Sequence, residues 1–110
     1  MSVVASFENC RELFELSGWG WAPTYYRVFK GEPRLVEVLI GRPKKEVDTP
    51  AYELGYLMRR LPIGSIVWSK GEDEWAAMYA EEVQQAGTPE DAACGLAIVL
   101  WRVGILTKRL

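Results

Sequence analysis

The ten residues Ala92–Trp101, AACGLAIVLW, carry no charged or strongly polar side chain and follow the helix-opening signal Thr88-Pro89-Glu90-Asp91. Thr offers a capping oxygen, Pro pre-sets the first turn, and an acidic residue at the third helical position can reach back in a variant capping box. A helix that is apolar all round has no face to give to water and must be covered from several sides. The stretch therefore predicts a central rod, running to about Val103, as the most buried element. Gly104 can then turn left-handed and let Ile105 fold back onto Leu100. At about 15 Å the apolar block is only half a bilayer long, and Arg102 follows at once, so no membrane segment is expected.

Two more helices can be read beside it. Ser6 can cap a first one, with Glu8 in its first turn, Phe7, Cys10 and Phe14 on one face, and Gly18 as its stop. Thr49-Pro50 reads as the opening of a second, with Leu54, Leu57, Met58 and Leu61 as its apolar stripe. Arg59 and Arg60 then sit by its C-terminal carbonyls, where positive charge is favoured, and Pro62 prevents continuation. Gly55 and Gly95, each costing about 1 kcal/mol in a helix relative to Ala, read as sites of close backbone approach, each to the other.

Between the helices lie two predicted hairpins. Tyr25–Lys30 and Leu35–Ile40 are rich in β-branched and aromatic residues and are separated by Gly31-Glu32-Pro33. Ser65–Ser69 and Trp75–Glu81 flank Lys70-Gly71-Glu72-Asp73, which reads as a two-residue loop with Gly first. That register sets Trp68 opposite Trp75 and leaves both sheet faces apolar, so helices are expected on both sides. The fold class is α+β: one domain over residues 1–110, an antiparallel sheet of two hairpins packed between three helices, in the order α-β-β-α-β-β-α.

Composition narrows function by exclusion. Thirteen Lys and Arg against fifteen Asp and Glu give a net charge of −2, so no general attraction to phosphate backbones is expected. No histidine is present, which removes the Ser-His and Cys-His nucleophile systems and the commonest general base near neutral pH. Cys10 and Cys94 fit no metal spacing and read as small buried residues. No phosphate-binding glycine motif occurs. Glu72-Asp73-Glu74 and Glu81-Glu82 are the carboxylate clusters, read as a solvated turn and a strand end. No reaction-class constellation can be assembled, and neither an enzymatic role nor a cofactor is expected. The N-terminal residues lack a basic segment followed by a long apolar run, so a cytoplasmic location is expected.

Two binding features remain. Trp19-Gly20-Trp21 with Tyr25 and Tyr26 could form a stacking platform or an interface, unless the rings plug the end of the core. Arg42, Lys44 and Lys45, joined by Arg34, are the basic residues a nucleic-acid or small-ligand site would use, but Glu46 and Asp48 lie alongside them. A concave pocket containing Trp19 and Trp21 would favour a ligand; a flat aromatic patch would favour a protein partner or a homodimer.

Three stretches carry a family resemblance: Cys10–Gly18 (CRELFELSG), Thr49–Pro62 (TPAYELGYLMRRLP) and Thr88–Leu106 (TPEDAACGLAIVLWRVGIL). They resemble small phage and mobile-element proteins of no assigned activity. There, a P-A-Y-x-L-G-Y-L-x-R-x-L-P segment precedes a Trp-containing hairpin and a T-P-E-D-A-A-C helix. The layout is also similar to phage ABA-sandwich domains. The resemblance implies a non-catalytic accessory or interaction protein, with a host protein as its partner, and carries over no site residue.

Overall fold

The computed structural model describes residues 3–20, 22–37 and 48–107. Three helices and six strands follow one another as α-β-β-β-α-β-β-β-α, an α+β fold with antiparallel strands. The strands form two three-stranded sheets, so each expected hairpin has gained a third strand.

Helix α1 spans Phe7–Ser17. Ser6 Oγ accepts from the Asn9 amide, and Gly18 ends the helix at φ 69° while donating to Phe14 O, both as its sequence predicts. Strands β1 (Thr24–Phe29) and β2 (Glu32–Glu37) meet at a two-residue loop, Lys30-Gly31. Both loop residues have positive φ, the geometry that matches strand twist in a tight hairpin. The expected loop Gly31-Glu32-Pro33 is thus corrected: Glu32 and Pro33 already lie in β2. Pro33 fits there because β2 is an edge strand, where a missing N–H costs no ladder bond. Residues 38–40 of the expected second strand lie outside the described residues.

The expected helix start at Thr49-Pro50 is also corrected. Asp48–Pro50 form β3, paired antiparallel to β1 with Arg27 opposite Asp48. Thr49 would be extended before proline in either case, as Thr88 is before Pro89; what makes it a strand is the ladder that β1 offers, with Tyr26 opposite Thr49. The buried Asp48 carboxylate takes a two-pronged contact from Arg27, at 2.7 and 2.9 Å, which ties the strands together. Helix α2 begins later, spanning Leu54–Arg60, without a side-chain cap at Glu53. Its end at Leu61, before Pro62, is as read from the sequence.

Strands β4 (Ile66–Gly71), β5 (Glu74–Tyr79) and β6 (Glu82–Ala86) make the second sheet, with β5 central. The β4–β5 register differs from the expected one by a single residue. Asp73, not Gly71, adopts positive φ, and an irregularity at Lys70 leaves Ser69 opposite Trp75 and Trp68 opposite Ala76. A one-residue slip reverses every side chain, so Trp68 and Trp75 lie on opposite faces. Strand β6 was not foreseen, because EVQQA alternates without an apolar face. Ala80 at positive φ and Glu81 form the tight loop leading into it.

Helix α3 spans Pro89–Arg102, and none of Ala92–Trp101 is exposed. Among the described residues, no helix is long and apolar enough to cross a membrane. The rod packs on α1, α2 and the inner face of β4–β6, and its Leu96, Ala97 and Leu100 join Leu13, Tyr52 and Leu57 in the core. Thr88 Oγ caps Asp91 N at 3.1 Å, but the Asp91 carboxylate does not close the variant box. It crosses to α1, accepting from Ser6 N at 2.6 Å and Asn9 Nδ2 at 3.0 Å, so one carboxylate fastens two helix starts. At the other end Gly104 has φ 84°, and the amides of Ile105 and Leu106 both donate to Leu100 O. The side chain that packs there is Leu106, whereas Ile105 is exposed.

The glycine pairing is overturned. A Cβ on Gly55 would meet nothing within 4 Å, and one on Gly95 would make only ordinary contact with the Gln84 side chain. Cys10 and Cys94 are free and buried, as read. A hydrogen bond with Cys10, then burial, pushes the Cys94 thiol well above its usual range.

Candidate functional site

The chain reverses after α1, and that reversal places one indole. Gly18 turns the backbone, Ser17 Oγ accepts from Trp19 N at 3.1 Å, and the Tyr52 hydroxyl donates to Trp19 O at 2.7 Å. Ser17 Oγ itself donates to Leu13 O. Trp19 is thereby held at both its amide and its carbonyl. Its ring stands edge-on to Trp101 at 5.9 Å and to Tyr56 at 6.5 Å, and Tyr56 stacks on Tyr52 at 5.6 Å. Such edge-on and stacked pairs are each worth about 0.5–1.5 kcal/mol beyond the area they bury.

Arg60, from the last turn of α2, lies over this aromatic group. Its guanidinium carbon is 5.2 Å from the Tyr56 ring centre and 5.7 Å from that of Trp19. The negative faces of the two rings attract the cation and hold it at the edge of the aromatic group. Arg59 beside it donates Nε–H to Gly55 O at 3.2 Å. Among the described residues neither arginine has a carboxylate within ion-pair distance. Burial raises the Tyr56 phenol above its usual range, partly offset by the neighbouring Arg60 charge.

Together these side chains line a concavity of about 560 Å³, bounded by Trp19, Arg59, Arg60, Trp101, Leu106 and Thr107 with Ser17 at its base. That volume falls in the range of small-molecule sites, about 300–1,000 Å³. Among the described residues no acidic side chain lines it. The Trp101 Nε1–H is buried without a partner. A smaller hollow of about 170 Å³, lined by Glu53 and Tyr56 among others, shares Arg59 with it.

Of the described residues singled out from the sequence as a site, Trp19 reaches this cleft. Tyr25 is 4% exposed and donates to Gly20 O at 2.6 Å, bracing the loop. Tyr26 donates to Ala5 O at 2.6 Å and packs edge-on against Phe7, and burial pushes its phenol up to about 12. Both tyrosines hold the fold together. Arg34 lies on the exposed β2, opposite Arg27. Trp21, Arg42, Lys44 and Lys45 lie outside the described residues. Glu72, Asp73, Glu74 and Glu81 are exposed, as a solvated turn and strand end should be, and Glu82 is half-buried.

Sequence reasoning did not gather Arg59, Arg60 and Trp101. The two arginines were legible as helix-end charges and Trp101 as core, and each reading was complete without the others. Their convergence depends on α2 and α3 packing side by side. No family model, curated protein or solved structure matches this chain.

Proposed function

We propose that this is a non-catalytic binding protein and that the Arg59–Arg60 cleft is its working site. Its ligand joins an anionic group, a carboxylate or phosphate, to a flat unsaturated ring. The observation that carries this reading is the pair of arginines, without carboxylate partners among the described residues, at the mouth of an indole-walled hollow. A planar guanidinium pairs well with carboxylate or phosphate oxygens, and indole faces suit a flat ring.

The lining also supports binding over chemistry. Arginine stays protonated at any physiological pH, indole does not titrate, and the Ser17 hydroxyl is committed to backbone partners on both sides. The small-ligand alternative read from the sequence is thus kept, with Arg59, Arg60 and Trp101 in the roles given to Arg42, Lys44 and Lys45. The resemblance to phage and mobile-element proteins supports an accessory role for such a binder.

The test is a titration with benzoate, indole-3-carboxylate and adenosine monophosphate, followed by the indole N–H resonances. The Trp19 and Trp101 signals are expected to move, with Trp68 and Trp75 unaffected. Arg60→Gln should weaken binding by about 10- to 100-fold, the worth of one charge-assisted bond. Unmoved Trp19 and Trp101 signals with all three probes would overturn the reading.

A further inference from the structure

The Arg59–Arg60 cleft has an order of depth, and that order says how a ligand enters it. Ser17 is 7% exposed, Trp19 and Trp101 are half-buried, and both arginines are exposed. A ligand therefore meets the guanidinium groups at the surface and the indoles further in, so its anion has to lie outside its ring. A phosphate at the tip of an aromatic side chain has the opposite order and would bring its charge to the indoles first. The terminal aromatic residue of a polypeptide has the right one. Its ring projects ahead, and its α-carboxylate stays behind with the backbone.

The chain next to the cleft offers apolar contacts that a single-ring ligand would leave unused. Ile63 is 102% exposed and lies three residues beyond Arg60, which keeps the two Cα atoms within about 11 Å. It sits at the corner of a fixed turn. Gly64 has φ 99°, and Ser65 donates to Pro62 O from its amide at 3.1 Å and from its hydroxyl at 2.7 Å. A side chain presented by a fixed backbone loses little freedom on binding. Ile105, 45% exposed, directly precedes the cleft residue Leu106, and its own amide is tied to Leu100 O. Acidic side chains also occur at this end: Glu53 in the smaller hollow, Glu12 paired with Arg102, and Glu81 and Glu82 at the β5–β6 loop, which the register sets level with the start of β4. They disfavour any carboxylate on a partner other than one held by Arg59 and Arg60.

Building on the reading of the cleft as a site for an anion joined to a flat ring, we infer that its ligand is the C-terminus of a partner polypeptide ending in an aromatic residue. The terminal ring lies against the indoles, the α-carboxylate meets Arg59 and Arg60, and apolar residues before it cover Ile63 and Ile105. A free C-terminus is the one point of a polypeptide where a backbone carboxylate stands beside a side-chain ring. Guanidinium and carboxylate pair through two parallel N–H bonds. Among the described residues Arg59 commits only its Nε–H, to Gly55 O.

The experiment is a titration of the isotope-labelled full chain, followed by the Trp19 and Trp101 indole resonances, with three unlabelled probes. They are the N-acetylated pentapeptide Leu-Ala-Leu-Ala-Trp with a free C-terminus, the same peptide as its C-terminal amide, and N-acetyltryptophan. The free acid is expected to bind about 10-fold more tightly than the amide, for the lost charge-assisted bond. It is expected to exceed N-acetyltryptophan by about 10-fold as well, the worth of one covered isoleucine. A chain carrying Ile63→Ser and Ile105→Ser, checked for native circular dichroism, should lose most of the second advantage. An amide as tight as the acid, a peptide no tighter than N-acetyltryptophan, or a substituted chain that keeps the full advantage would each overturn the inference. If N-acetyltryptophan moves the two indole signals and the peptide gains nothing, the reading of the cleft stands and the polypeptide ligand falls. If no probe moves them, both fall.

Discussion

At the scale of single residues, the polar groups that matter here are those that bind distant parts of the backbone. Asp91 holds the start of α1 from the start of α3, the Tyr52 hydroxyl holds Trp19 O, and the Tyr26 hydroxyl holds Ala5 O. The phenols make stability depend on alkaline pH. The Tyr26 phenol, raised from 10.0 to about 12 mainly by burial, is neutral in the folded protein where the unfolded chain has begun to ionise. Its contribution is complete below about pH 10 and is lost as pH rises toward 12; Tyr52, also raised by burial, acts in the same direction. Urea midpoints are therefore expected to fall across that window. Tyr26→Phe should be less stable at neutral pH by about 1 kcal/mol, for the lost hydrogen bond, with a shallower alkaline fall. An equally steep fall in the variant would assign the effect elsewhere.

At the scale of elements, the ends of helices and hairpins follow from local chemistry, and the glycines separate two kinds of reading. Gly18 sits at φ 69°, where a side chain is strained, whereas Gly55 lies within α2 with open space around it. Gly18→Ala is expected to cost about 1 kcal/mol. Gly55→Ala is expected to stabilise by up to about 1 kcal/mol, since alanine is the better helix former. Chemical denaturation of the two variants should show shifts of opposite sign; a destabilised Gly55→Ala would mean that the position does serve close packing. The hairpins show why register escaped the sequence. Trp68 opposite Trp75 and Trp68 opposite Ala76 are both apolar pairings, so hydrophobic pattern alone could not choose between them. A single irregularity at Lys70 made the choice.

For the whole molecule, α3 is the element that the others share. It meets α1, α2 and the second sheet, while the far end of the β1–β2 hairpin, Val28–Leu35, is exposed. Stability should be graded accordingly, with the slowest hydrogen exchange at the amides of Ala93–Leu100 and the fastest at Val28–Leu35. Exchange of the α3 amides at the same rate as the hairpin end would contradict the central rod. The cleft belongs to this scale too, since Trp19, Arg60 and Trp101 come from three separate segments and meet only because the helices pack.

The sequence by itself determined the three helices, most of their caps, the α+β class and the burial of Ala92–Trp101. These depend on contacts within a few residues or on side chains that water would not accept. Tertiary structure alone decided that Thr49-Pro50 would be a strand, that each hairpin would take a third strand, and that Arg59 and Arg60 would border an indole-walled hollow. Strand pairing and side-chain convergence join residues far apart in the chain. Several partners of nearly equal local merit compete for each, and only the packing of the whole separates them.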